Sequence, residues 1–302
     1  MKLGVIGGAG VVGSAVAFYA AANALVDEII LYDVKANFAA NHAMDIDQGT
    51  CLISPTKTCS AEFEALAECD IIVNAAGVPE IGATSRDVYV EGNTKILVEL
   101  AEKMRAWPTG QIIISATNPI DVLNYRFSEM LPGPKKRFIG FSSNDSLRFK
   151  WAISIETGIE TMQIDAYVLG EHGQSQVPIF SRISRKDTGL PISLSPAQSA
   201  SVLDRVDSWF GLITGLQAPR TMGWTSGVGI GQIIAAVVGK SNDVLRCSVI
   251  PDNQYGISGI SIGLPVRLGP TGVEEIIEIP LDESEKLKLA ESVETIRKKT
   301  QA

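Results

Sequence analysis

Only two histidines and four cysteines occur in 302 residues, and that scarcity excludes a good deal. Cys51, Cys59, Cys69 and Cys247 form no CxxC pair, and two histidines leave almost no material for a Cys/His zinc site. We read the thiols as reduced and mostly packed, as in a cytoplasmic protein, and expect no metal. Basic charge is also short: 26 Lys+Arg against 34 Asp+Glu give a formal charge of −8. Such a chain has no electrostatic footprint for DNA, RNA or an anionic membrane surface. An anionic small molecule must therefore be held by individual arginines, because the field of the whole protein repels it. No apolar run approaches the ~18 residues of a membrane span. The start, Lys2 followed by apolar residues as far as Ala24, superficially resembles a secretion signal. Gly4, Gly7, Gly8, Gly10 and Gly13 interrupt it, so we expect these residues to belong to the fold.

What the chain does have is a 45% hydrophobic composition, enough for a large core and about two domains. Short apolar runs at Leu3 to Gly7, Glu28 to Tyr32, Asp70 to Ala75, Gln111 to Ala116 and Arg137 to Phe141 read as strands buried on both faces. Helix-length segments separate them, notably Val11 to Val26, Val88 to Trp107 and Ile120 to Met130. A repeated βαβ rhythm implies a parallel, doubly wound sheet. Beyond about residue 145 the rhythm changes to long helices, Ser195 to Gln217 and Thr225 to Lys240. Short strands follow around Val244 to Ile250, Gly256 to Leu264 and Val273 to Ile279. We therefore expect an α/β domain over 1–144 and an α+β domain over 145–302. The latter closes on an amphipathic helix from Asp282 to Lys299 that buries Leu287, Leu289, Val293 and Ile296.

Gly8-Ala9-Gly10-Val11-Val12-Gly13 is a GxGxxG directly after one strand and at the mouth of a helix, the context in which the pattern means a dinucleotide rather than a bare turn. In this Rossmann arrangement the first glycine permits the tight turn, the second lets backbone approach a pyrophosphate, and the third lets helix pack on strand. The helix N-terminus offers its unpaired N–H groups to phosphate. Asp33 ends the second strand twenty residues after Gly13, where a carboxylate can accept from both ribose hydroxyls of NAD and would repel a 2′-phosphate. Ala75, Ala76 and Gly77, after Asn74, supply small residues where the cofactor would cross. Gly8, Gly10, Val12, Gly13, Asp33, Ala75, Ala76 and Gly77 are thus the candidate NAD contacts.

Dinucleotide binding does not choose a reaction. His172 sits between glycines in Gly170-Glu171-His172-Gly173 after a strand, which should expose its imidazole. His42 lies in a polar helical stretch with nothing to orient it. An imidazole acid/base needs an orienting carboxylate, and a keto acid needs an arginine that can fork onto its carboxylate. Asp145 and Arg148 offer both at i and i+3 of one helical turn, although the pair alone could be a surface salt bridge.

GAGVVG, NAAG, SATNPIDVL, SNDSLRFK, GEHGQSQVP and GLPVRLGPTGVEEIIEIPL occur in this order along the whole chain, and in this it resembles the L-lactate/malate dehydrogenase family. The resemblance implies an NAD-dependent oxidoreductase interconverting a small L-2-hydroxy acid and its 2-oxo acid, working as a homodimer or homotetramer. It implies that His172 moves the proton, Asp145 holds its ring and Arg148 binds the substrate carboxylate. Arg86 would close with a mobile loop and polarise the reacting carbonyl. Asn118 would contact cofactor and substrate, and Thr225 would line the pocket. Three departures stand out. Glu80 occupies a loop position where malate dehydrogenases carry arginine and lactate dehydrogenases glutamine, the stretch from Gly140 to Asp145 is one residue short, and Gln174 replaces a common aspartate. Glu80 facing the substrate would disfavour a dicarboxylate, so side-chain specificity other than malate's is expected, with malate dehydrogenase proper as the alternative. A non-catalytic NAD-binding sensor sits poorly with the intact reactive set, and an NAD-assisted lyase or glycosidase would want a metal site.

Overall fold

The computed structural model describes residues 1–78, 89–217 and 222–301. Six strands, β1 (Lys2–Ile6), β2 (Glu28–Tyr32), β3 (Lys57–Ser60), β4 (Ile71–Asn74), β5 (Ile112–Ser115) and β6 (Phe138–Phe141), form a parallel sheet in the order 3-2-1-4-5-6. Between them run α1 (Val11–Ala22), α2 (Ala36–Thr50), α3 (Val90–Met104) and α4 (Ile120–Met130). The continuous apolar strands noted in the sequence are explained by alternation. Leu3, Val5, Ile29, Leu31, Ile71, Val73, Ile112 and Ile114 pack to one side with α1 and α2. Ile6, Ile30, Ile72, Ile113 and Phe138 pack to the other with Leu97, Leu100, Leu123 and Phe127 of α3 and α4. Successive side chains of a strand point to opposite faces, so helices on both faces demand apolar residues at every position.

The second half continues the same sheet rather than starting another. After α5 (Asn144–Thr157) come β7 (Ile164–Asp165), β8 (Val168–Gly170), β9 (Gln176–Pro178), β10 (Ser184–Arg185), α6 (Pro196–Gly215), α7 (Gly223–Val237), β11 (Leu245–Val249), β12 (Ile262–Gly269), β13 (Gly272–Ile276) and α8 (Glu283–Gln301). β11 lies antiparallel to β6, with Cys247 opposite Phe141, and β12 and β8 extend the sheet beyond it. β7 and β10 make a separate small ribbon. Helix α7 is drawn tightly onto α1. A Cβ at Gly223 would meet Val11 at 2.6 Å, one at Gly227 the Ala15 carbonyl oxygen at 2.9 Å, and one at Gly231 the Tyr19 ring at 2.1 Å.

Several details differ from the sequence reading. Strand β3 was not anticipated, because Lys57–Ser60 is short, polar and an edge, with Thr58 buried between the exposed Lys57 and Cys59. The strand expected at Gly256 to Leu264 begins at Ile262 and runs on to Gly269, since the segment before it is a turn with Tyr255 and Gly256 at positive φ. Leu289, Val293 and Ile296 of α8 are buried as expected, but Leu287 is 68% exposed because it faces away from the stripe they form. Two thiols are packed, Cys69 and Cys247, while Cys51 and Cys59 are exposed; all four are free. Among the described residues, no helix is long and apolar enough to cross a membrane.

Candidate active site

The sheet order reverses direction between β1 and β4, and at such a switch point the carboxyl ends of neighbouring strands open a crevice. Gly7 to Gly13 leaves β1 and Ala75 to Gly77 leaves β4 on that edge. The tight left-handed turn falls on Gly7, at φ +84°, one residue before the GxGxxG itself. Gly13 packs as its position implies, since a Cβ there would lie 2.3 Å from the Gly7 carbonyl oxygen. Val12 packs against the core at the start of α1, whose first turn carries no acidic side chain, leaving its N-terminal amides to a phosphate. Asp33 follows β2 and reaches the same loop: its carboxylate accepts from the Ala9 amide at 3.0 Å and the Lys35 amide at 2.9 Å. Gly77 is pressed against Thr117, where a Cβ would meet the methyl at 2.8 Å. Small residues along the crevice and a carboxylate at the ribose end fit NAD.

Helix α5 starts beside this crevice and carries Asp145 in its first turn and Arg148 one turn on. His172 follows β8 in a loop shaped by its glycines. Gly170 sits at φ +84°, and Gly173 leaves the space into which the Glu171 carboxylate folds, since a Cβ would meet it at 2.7 Å. The His172 amide donates to Asp121 of α4 at 2.7 Å, which ties the loop to the first domain's last helix. Its Nδ1 and Asp145 Oδ2 are 2.7 Å apart, while Arg148 Nη1 lies 3.4 Å from Asp145 Oδ1. The imidazole is buried, at 7% residue exposure, not exposed as its flanking glycines suggested. It borders a partly open cavity of about 530 Å³ instead.

That cavity is lined by His172, Asp145 and Arg148 together with Pro119 and Val122 of the β5–α4 region. Its far wall is Val206, Asp207, Trp209 and Phe210 of α6, with Ile296 and Lys299 of α8. The Arg148 guanidinium stacks over Trp209, 5.2 Å from the ring centroid, and Trp151 packs edge-on to the same ring at 5.7 Å. Lys299 pairs with Glu171 at 2.7 Å. Asn118, at the end of β5 and before a cis bond to Pro119, accepts at its carbonyl from the Asn93 side chain at 2.7 Å. Asn93 also accepts from the Val78 amide at 2.7 Å, so it stitches Asn118 to the small-residue turn. Thr225 lies in the first turn of α7, exposed, and is not part of the cavity wall. Glu80 and Arg86 lie outside the described residues.

Three site residues escaped the sequence reading: Asp121, Asn93 and Arg246. Arg246 is the most telling, a lone basic residue in the apolar strand Leu245–Val249 and completely buried there. Its Nη1 donates to Asp145 Oδ2 at 2.5 Å and to the Ser142 carbonyl at 2.6 Å, and its Nη2 to the Gly170 carbonyl at 2.8 Å. Burial alone would push the Asp145 carboxyl up, but His172, then Arg246 and Arg148, hold it well below the usual carboxylate range. Asp121 goes the other way: burial outweighs the Ser248 hydroxyl, Arg246 and the His172 amide and pushes it up to about 6. Two buried carboxyls that both contact His172 are thus shifted in opposite directions.

Comparison with known proteins agrees with this geometry. Residues 1–140 match the model of the lactate/malate dehydrogenase NAD-binding domain, and residues 143–302 that of its α/β C-terminal domain. Malate dehydrogenase 1 of Aquifex aeolicus is 35% identical over 274 residues, spanning 88% of this chain and 79% of that protein. Cryptosporidium parvum malate dehydrogenase superposes with a TM-score of 0.93 at 27% identity, covering 99% of this chain and 98% of that one. The lactate dehydrogenase of the same organism, solved with lactic acid and NAD, gives 0.92 at 26% identity over 99% and 96%. With matches across both halves and a cofactor crevice and histidine–aspartate pair where the fold needs them, the chain belongs to the lactate/malate dehydrogenase family of NAD-dependent hydroxy acid/oxo acid oxidoreductases.

Proposed function

We propose that the chain interconverts a small L-2-hydroxy acid and its 2-oxo acid, with His172 as the proton carrier and Arg148 as the carboxylate anchor. The observation that carries this is the 2.7 Å contact between His172 Nδ1 and Asp145, with Arg148 on the same carboxylate and all three on one cavity. With Nδ1 engaged by Asp145, the hydroxyl proton is taken up and returned at Nε2, and the Asp145 charge stabilises the imidazolium that forms. Arg148 fixes the substrate by a two-pronged pair that an ammonium cannot reproduce. Bound NAD supplies the hydride acceptor or donor at its nicotinamide ring. Gly8, Gly10, Val12, Gly13, Asp33, Ala75, Ala76, Gly77 and Asn118 are the residues we assign to holding it, and Arg86, on sequence grounds, to polarising the substrate carbonyl.

For the substrate's side chain we favour one that carries no second carboxylate. Val206, Trp209, Phe210 and Ile296 put apolar surface on the far wall, where Lys299 is already paired with Glu171 and Asp207 adds a negative charge; Glu80 would add another. The test is NADH oxidation with pyruvate, longer apolar 2-oxo acids and oxaloacetate. Strong selectivity for oxaloacetate overturns this assignment, whereas failure of every 2-oxo acid overturns the whole reading. We also propose a cytoplasmic homo-oligomer, since the thiols are free and Leu147, Trp151 and Ile155 are exposed along one face of α5. Sedimentation at micromolar concentration checks the assembly.

A further inference from the structure

Asp145 would need only His172 and Arg148 to serve the reaction just described, yet its Oδ2 carries a third cation. His172 Nδ1 and Arg246 Nη1 flank this single oxygen at 2.7 and 2.5 Å. The site for the guanidinium is built into the fold. Gly263 of β12 leaves the space it fills, since a Cβ there would lie 2.3 Å from Arg246 Nη2. The carbonyls of Ser142, Gly170 and Glu171 accept from it at 2.6, 2.8 and 3.3 Å. Those carbonyls belong to the approach to α5 and to the His172 loop, so one side chain pins both partners of the acid/base pair.

We propose that Arg246 is a positioning residue that sets the pH range over which His172 carries its proton, by sharing the negative charge of Asp145. This rests on the assignment of His172 and Asp145 made above. An imidazolium facing an undivided carboxylate is held by a full opposite charge. Facing one already paired with a buried guanidinium, it gains little and meets a like charge across the same oxygen. Other charged groups face His172 from each packed element. Asp121 of α4 accepts its amide, Arg148 of α5 pairs with Asp145, and Asp207 of α6 lines the same cavity. Glu171 in its own loop is paired with Lys299 of α8. Of these, only Arg246 is a permanent cation with its side chain wholly out of water and on the oxygen that orients the ring. Its effect is to keep His172 neutral, and so ready to accept the hydroxyl proton, at a lower pH than an Asp–His pair alone would.

With only two histidines in the chain, the test is direct. Nitrogen-15-labelled histidine in the NADH-bound full-length protein gives two titrating rings, and His42→Gln assigns the second. In the parent protein the His172 midpoint is expected at or below the ordinary histidine value of about 6.5. Arg246→Gln should raise it by about one pH unit or more, and Arg246→Lys should leave it within about half a unit. The pH limb of kcat/KM for 2-oxo acid reduction should move with it. NADH fluorescence confirms that each variant is folded. A parent midpoint above about 7.5 overturns the proposal, and so does a shift under about 0.3 units in a folded Arg246→Gln protein, or an equal shift in both variants. If Arg246→Gln does not fold, the parent midpoint and Arg246→Lys still decide. Should His172→Gln retain full turnover, the functional assignment falls, while the titration result for Arg246 stands on its own.

Discussion

Replacing Asp145 by asparagine removes the one negative charge shared by Arg148, Arg246 and the His172 ring while keeping nearly the same shape. Arg246 is then left fully buried with no carboxylate in direct contact, and breaking a buried pair from one side costs about 3–5 kcal/mol. The loss should depend on pH in a definite sense. The folded carboxyl is held below its ordinary value of 3.8, so its contribution is complete above that value and disappears as pH falls through the folded one. Urea unfolding should therefore show the largest gap between parent and Asp145→Asn near neutral pH, closing in strong acid. Turnover should fall by roughly 10²-fold or more, because the imidazole loses both its orientation and its counter-charge. Adding Arg246→Met to Asp145→Asn should recover about 2 kcal/mol or more relative to the sum of the two single losses, since the two residues share one contact. A single variant within about 1 kcal/mol of the parent at pH 7.5, or strictly additive losses, would refute the reading of this triad.

Asp121→Asn should act in the opposite sense. With its folded value pushed up to about 6 from 3.8, the carboxyl's contribution is complete below 3.8 and lost as pH rises through about 6, so asparagine should stabilise by up to roughly 3 kcal/mol at pH 7.5 and by nothing below about pH 3 in urea melts. His172→Gln should leave NADH affinity within about threefold and lower kcat by roughly 10²-fold or more. Arg148→Lys should show mainly as a higher KM for the 2-oxo acid, and equal effects on NADH binding would argue against an anchor role. Asp33 should enforce NAD over NADP by at least about a hundredfold in kcat/KM, because a phosphate ~4 Å from the carboxylate meets repulsion of about 4 kcal/mol at an effective dielectric near 20. Asp33→Ser should reduce that preference to within about tenfold.

The sequence exposes those features of the molecule that local physics sets. Strands buried on both faces, a glycine loop between strand and helix, and an aspartate one turn before an arginine each leave a pattern within a few residues. Accordingly the parallel sheet, α4 and the Asp145–Arg148 pair lie where their patterns put them. What the sequence hides is contact across long separations. Arg246 reaches Asp145 across 101 positions and Gly170 across 76, and Asn124 of α4 reaches Ser261 across 137. No periodicity records such contacts, and even the exposure of His172 was misjudged because the cover over it arrives from distant elements. One local signal was nevertheless present. An arginine inside the apolar strand LRCSV conflicts with burial, and a fold tolerates a buried charge only where a partner of opposite sign is supplied. The arginine therefore signals a buried carboxylate somewhere in the fold, and the structure supplies Asp145 as that partner. The same reasoning explains why Gly263, unremarkable in a strand pattern, is fixed in size: any side chain there displaces the guanidinium, and with it the charge balance on which the histidine depends.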